Sequence, residues 1–389
     1  MSFRFSWVPL ILALGGCFLD HGATERYGGA TERDGGATER DGGPPPIDAH
    51  VEPDVCAFEP GAAIFDVEVL ADELASEPYD VDAAGRVYLG ILGDSYRWDG
   101  PGVLVSLDAL TGSPAGRIAR IAGVAPDGSF AGQMWQDERT HAFVWSEASG
   151  LVDLSEDDDE DSSATAIAPN GTIVVNEARR ASLRLASRLT QLLGLPPDAN
   201  TRHAVVQALD IVQNGTSTVV GTSTADETLG VWRAFVWTGA GELRLLPNDG
   251  ALRSRALAIS DDGAFIVGTA SSLTSDAMTP VVWRGELIAR IPLLPVPELA
   301  WGAATDVNDH GVIVGGDTGP SVTGPNAYGW MMVGDRKLAI DALLADGAAW
   351  HVTRAVRVTE DLRVLAVAQR EGSEVREAVM LRPRCALAE

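Results

Sequence analysis

Residues 256–295 read ALAISDDGAFIVGTASSLTSDAMTPVVWRGELIARIPLLP. An apolar run ends at Ser260, a turn follows at Asp261-Asp262-Gly263, and a second apolar run ends at Gly268. A polar loop leads to Val281-Val282-Trp283, a turn at Arg284-Gly285 and a last apolar run to Leu294-Pro295. Short apolar runs punctuated by turn residues read as strands, and this stretch holds four of them in 40 residues. The turn glycine supplies the positive φ of a tight hairpin, and runs such as Phe265-Ile266-Val267 suit buried strands.

The same unit recurs along the chain. Its turn glycine falls at Gly85, Gly128, Gly171, Gly215, Gly263 and Gly311, at intervals of 43, 43, 44, 48 and 48 residues. A seventh copy, residues 354–369, has Leu362 where glycine is expected. Most copies carry an aromatic third strand: Tyr96-Arg97-Trp98, Phe143-Val144-Trp145, Phe235-Val236-Trp237, Val281-Val282-Trp283 and Tyr328-Gly329-Trp330. Copy 3 has Leu183-Arg184-Leu185 there and copy 7 has Val379-Met380-Leu381. A tryptophan at each third strand supplies the apolar wedge that one sheet needs to pack on the next. Residues 177–193 of copy 3 also fit a helix, with Asn176 as cap and Leu185, Leu189, Leu192 and Leu193 on one face. The interval from Gly171 to Gly215 leaves no space for an added helix, which favours strands.

Four-stranded units of this period build a β-propeller, whose closure shields the sheet edges. The expected fold is therefore all-β, a seven-bladed propeller within residues 56–389; six or eight blades follow if copy 3 or copy 7 is misread. The seventh copy has only three strands before the chain ends. Residues 64–70, Ile-Phe-Asp-Val-Glu-Val-Leu, alternate as a strand ahead of the first copy and would complete the last blade. Cys56 precedes that strand and Cys385 follows the last one, so a Cys56–Cys385 disulfide would lock the ring in an exported protein.

The N-terminus explains why export is expected. Arg4 gives a positive start, and Val8–Leu14 is apolar but too short for a permanent span, so residues 1–16 read as a signal peptide. Leu14-Gly15-Gly16-Cys17 resembles the lipobox of bacterial lipoproteins. That resemblance implies acyl chains on Cys17, which becomes the first residue and holds the protein to a membrane. Residues 17–55 contain GATERYG, GATERDG, GATERDG and a Pro44-Pro45-Pro46 run, a composition that cannot build a core and reads as a disordered tether. The expected location is the bacterial cell envelope, at the outer membrane or cell surface.

The pattern A-x-x-[IV]-x-x-x-G-x-[IV]-[VA]-G followed by A-F-x-W resembles the HAF family of bacterial extracellular repeats. His141-Ala142-Phe143-Val144-Trp145, Arg233-Ala234-Phe235-Val236-Trp237 and Gly311–Gly315 carry it over about residues 79–382. The resemblance implies an exported or surface-attached propeller, and it transfers no catalytic residue.

Chemistry is sparse by comparison. The 389-residue chain carries 55 acidic and 29 basic residues, a formal charge of −26, and such a surface repels nucleic acid. Lys337 is the only lysine. The six histidines show no paired ligand spacing, so no metal centre is indicated. Asp306 to Gly311, with Asp317 beyond, partly imitates an EF-hand loop, but it falls on a hairpin turn without flanking helices. The acidic run 156–161 repels itself and reads as a solvated loop; Asp157, Asp158, Asp159 and Asp161 are weak calcium candidates. No Gly-x-Ser-x-Gly elbow or Gly-rich phosphate loop occurs.

The leading reading is a non-enzymatic binding or structural scaffold. A protein or glycan ligand is expected on a propeller face, where the longest loops lie around 222–232, 269–279 and 316–327. The alternative is a hydrolase or lyase acting on polysaccharide or peptide from the central channel. Buried channel carboxylates would favour the enzyme, and an apolar or Ser/Thr-filled channel the scaffold.

Overall fold

The computed structural model describes residues 58–384 except 115–116, 156–159, 186–187, 196–203, 226–229, 240, 242, 272–276, 320–325 and 346–348. Its strands form seven four-stranded antiparallel sheets, the blades of a ring. Strands A to D of each blade run from the channel outward. The A strands are Ser76–Val81, Ile118–Val124, Ser162–Ile167, Val205–Asn214, Ser254–Ile259, Trp301–Val307 and Trp350–Val358. Cys17, Cys56 and Cys385 lie outside the described residues, as do Asp157, Asp158 and Asp159. Among the described residues no helix is long and apolar enough to cross a membrane.

The last blade is assembled from both ends of this domain, in the order Phe65–Val69, Arg376–Pro383, Val364–Arg370, Trp350–Val358 from outside in. Phe65 pairs with Pro383 and Val69 with Val379. The Arg384 amide donates to the Ile64 carbonyl at 2.8 Å, and Arg382 and Arg384 pair with Glu68 and Asp66 across the seam. The alternating strand read at 64–70 thus closes the ring, because only there can its inward residues find a partner sheet.

The core is distributed. Seven apolar clusters fill the seven interfaces between neighbouring blades. Trp98, Trp237 and Trp283 each enter the cluster shared with the preceding blade and are 3%, 1% and 0% exposed, which makes them packing wedges. Trp330 departs from the expected alignment. Its strand register sets it opposite Gly315, where Phe143 faces Gly132 and Phe235 faces Gly221. Met332 takes the position held by tryptophan elsewhere, and in copy 3 that position belongs to Arg184, opposite Ile173. A one- or two-residue slip is invisible when an apolar run offers several equivalent anchors.

Copy 3 is a sheet, with strands Ser162–Ile167, Thr172–Glu177, Arg180–Leu185 and Arg188–Leu192. Asn176 caps no helix. Its amide grips the main chain of Ala208 in blade 4, donating to the carbonyl at 2.8 Å and accepting from the amide at 3.0 Å.

All six turn glycines adopt positive φ, from 73° to 85°. Leu362 keeps the same conformation at φ 62° despite its Cβ. Its side chain is 4% exposed within the cluster between blades 6 and 7, and that burial offsets the backbone strain.

Candidate functional site

Every A strand carries a β-bulge just before the residue five positions ahead of the turn glycine or its Leu362 counterpart. A bulge twists the strand locally and re-aims the next side chain. The seven residues so placed, taken around the ring, are Asp80, Gly123, Ala166, Asp210, Ala258, Asp306 and Arg357. Three carboxylates and one guanidinium therefore share one layer of the inner wall.

Arg357 lies between its neighbours, with Nε 3.5 Å from Asp80 of blade 1 and Nη1 3.3 Å from Asp306 of blade 6. Its charge also acts on Asp210 of blade 4. The remaining carboxylate oxygens take backbone amides. Asp80 accepts from Val81 and Val124, both at 2.9 Å. Asp210 accepts from Ile211 at 2.9 Å and Ile259 at 3.0 Å, and Asp306 accepts from Val358 at 2.8 Å. In each case one amide belongs to the A strand of the following blade, so the aspartates stitch blade 1 to 2, 4 to 5 and 6 to 7.

Burial raises all three carboxyl groups above the ordinary range, Asp210 to about 6 and Asp306 to about 7, with Arg357 opposing the rise. Burial works against the Arg357 charge too. The attraction of Asp80, Asp306 and Asp210 outweighs it and holds the guanidinium above its usual range.

Two ladder steps away, about 7 Å along the strands, lies a second layer, toward the face where the B–C connections run. It consists of Glu77, Arg120, Ser163, Gln207, Arg255, Ala303 and Arg354 in ring order, each paired with the equivalent residue of its B strand. Arg354 pairs with Glu77 across the seam between blades 7 and 1. Arg120 lies over the ring of Tyr79, 5.7 Å from its centroid. The opposite mouth is acidic. There the Asp262 amide donates to Asp309 Oδ1 at 2.8 Å and the Asp309 amide to Glu360 Oε1 at 3.0 Å, linking the turns of blades 5, 6 and 7. Burial raises Asp261 and Glu360 as well, reinforced by neighbouring carboxylates.

The EF-hand-like residues part company. Asp306 joins the channel layer, Asn308 Oδ1 accepts from the Val312 amide at 3.0 Å, and Asp317 is buried in the interface between blades 5 and 6. There Asp317 accepts from Lys337 Nζ at 2.6 Å, Trp330 Nε1 at 2.9 Å and the Leu294 amide at 2.8 Å. Asp161, at the edge of the acidic run, accepts from the Thr140 amide and hydroxyl at 2.8 and 3.0 Å. Among the described residues no group of three or more His, Cys, Asp or Glu is placed to hold a metal ion. Sequence reasoning missed both channel layers, although aligning the copies on their turn glycines brings each into one column.

No protein-family model matches the chain, and no curated protein does. Solved structures share its fold at low identity. An acylaminoacyl peptidase is 10% identical, with TM-score 0.50 over 84% of this chain and 52% of its own. The β-propeller domain of the Trilobed protease of Pyrococcus furiosus, described as having an open velcro topology, is 11% identical, with TM-score 0.48 over 84% of this chain and 99% of its own. The extracellular domain of a hybrid two-component system of B. thetaiotaomicron is 9% identical, with TM-score 0.48 over 82% of this chain and 39% of its own. The chain thus spans about half the length of the peptidase and about two-fifths of the two-component extracellular domain. The likeness to the peptidase is one of fold alone.

Proposed function

We propose that this chain is an exported, lipid-anchored envelope protein that presents its propeller as a non-enzymatic binding scaffold. One observation carries the reading: all six oxygens of Asp80, Asp210 and Asp306 already accept a donor from Arg357 or a backbone amide. A general acid or base needs a proton it can exchange with substrate, and these groups spend their hydrogen bonds holding blades together. In this reading residues 1–16 are a signal peptide, Cys17 carries the lipid, residues 17–55 tether the body, and Cys56–Cys385 reinforces the seam between the first and last strands. The HAF-like repeats build the blades and bring no chemistry of their own.

The competing reading, a hydrolase or lyase working from the channel, is favoured by the buried channel carboxylates themselves, since Asp80, Asp210 and Asp306 are all raised by burial. Immobilising the full chain and exposing it to envelope extract of the source organism separates the two. A partner retained equally by wild type and Asp306→Asn fits the scaffold. Turnover of an envelope polysaccharide or peptide that Asp306→Asn abolishes, with the fold intact, overturns it. Elution by chelator would assign calcium to the acidic run. Peptide mapping without reductant reads the cysteines, and free thiols at both Cys56 and Cys385 would dispose of the disulfide.

A further inference from the structure

The layer on the B–C face is unusual for a chain of net charge −26. Four consecutive blades present Arg120, Ser163, Gln207 and Arg255, two guanidinium groups flanking a hydroxyl and an amide. Arg354 stands on the far side, its charge shared with Glu77. All of these residues are half-buried at the inner edge of the ring.

Three of the arc's groups lack a partner. Among the described residues Arg120 makes no hydrogen bond or ion pair, only its contact with Tyr79, and its Nε is buried without an acceptor. Neither the Ser163 hydroxyl nor the Gln207 side-chain amide has a hydrogen-bond partner there. Asn176 and Thr305, by contrast, spend their polar side chains on main-chain carbonyls of the next blade. An unengaged arginine normally finds solvent or an anion, and burial of its Nε makes the second the better solution.

We propose that this arc is a binding site for a carboxylate-bearing sugar. It rests on the binding-scaffold reading above and names the ligand class for it. Arg120 takes the carboxylate, and Arg255 bounds the arc at its other end. Ser163 and Gln207 between them take ring hydroxyls. The acidic surface repels a long polyanion, so the site suits a short or terminal acidic residue.

The test is isothermal titration of the full chain with trigalacturonate and with its methyl ester, against wild type, Arg120→Gln and Gln207→Ala. Wild type binds the acid and not the ester. Arg120→Gln weakens binding roughly ten- to a hundredfold, the contribution of one charge-assisted pair. Gln207→Ala, at a half-buried position whose side-chain amide has no hydrogen-bond partner among the described residues, weakens it with no change in melting temperature, and reads the site even if Arg120→Gln fails to fold. Equal binding by all three proteins overturns the site. Binding of phosphate, sulfate or triglutamate in place of the sugar, lost in the same variants, overturns the ligand class. Failure of every anion at millimolar concentration overturns the inference altogether. The envelope capture reads the scaffold function separately, so a retained partner alongside failed titrations would leave that reading standing.

Discussion

Replacing Arg357 by Met removes the one positive charge from a layer of three carboxylates. Two of them lie 3.5 and 3.3 Å from its nitrogens. At an effective dielectric constant near 20 each contact is worth about 4 kcal/mol of attraction at 4 Å. The guanidinium also loses solvation on burial, so the net effect is nearer the ~3–5 kcal/mol typical of breaking a buried pair. The loss depends on pH. Folded-state carboxyl groups lifted above their unfolded values bind more protons in the native protein, so stability is fully present below the unfolded range near 3.8 and declines as pH rises through about 6 for Asp210 and about 7 for Asp306. At pH 5 both are already largely neutral, and Arg357 faces far less negative charge. At pH 8 both are largely charged. Arg357→Met should therefore lose about 3–5 kcal/mol at pH 8 and about 1–2 kcal/mol at pH 5. Urea denaturation followed by tryptophan fluorescence at both pH values measures the difference. A deficit equal at the two pH values, or below about 1 kcal/mol at both, would refute the assignment of Arg357 as the neutralising group of the channel.

Three further outcomes follow from the packing. Leu362→Gly would match the other six turns and relieve roughly 1–2 kcal/mol of left-handed strain, yet it removes a buried Leu worth about 2–5 kcal/mol, so urea titration should show net destabilisation. Gly268→Ala places a Cβ 2.0 Å from the Arg255 carbonyl and should cost about 1–3 kcal/mol by forcing the bulged strand aside; an unchanged urea midpoint would contradict that close approach. Lys337→Met strands Asp317, 0% exposed, between blades 5 and 6 and should cost about 3–5 kcal/mol, while adding Asp317→Asn should recover at least half of it in the same assay.

The blades were legible because their determinants are local and repeated. A turn glycine followed by an apolar strand recurs wherever a hairpin must reverse, and the strand at 64–70 was conspicuous because its alternation had no partner nearby. Register within the third strands was less legible. Trp330 and Met332 both suit an interface, and only cross-strand pairing to Gly315 decides between them. The same pairing explains the strand glycines: a Cβ at Gly132, Gly221, Gly268 or Gly315 would lie 2.0 to 2.2 Å from a carbonyl of the bulged A strand. The candidate site was the least legible part. Arg120, Gln207 and Arg255 are scattered over more than a hundred residues, and each looks like an ordinary strand residue. What makes them a group is the ring, which converts a fixed offset from successive turns into a common height on the inner wall.

The seam between the first and last strands also sets a schedule. Val69 must wait for Val379, which is 310 residues later. At ~5–20 residues per second, synthesis alone separates the two by about 15–60 s. Throughout that interval the earliest strand has no permanent neighbour, and the growing blades present an open side. The protein is therefore most vulnerable to mispairing late in its production, when nearly all of its length exists and the final hairpin does not. Truncations near the C-terminus should be far more damaging to solubility than their size suggests, because they leave the oldest strand of the domain without the youngest.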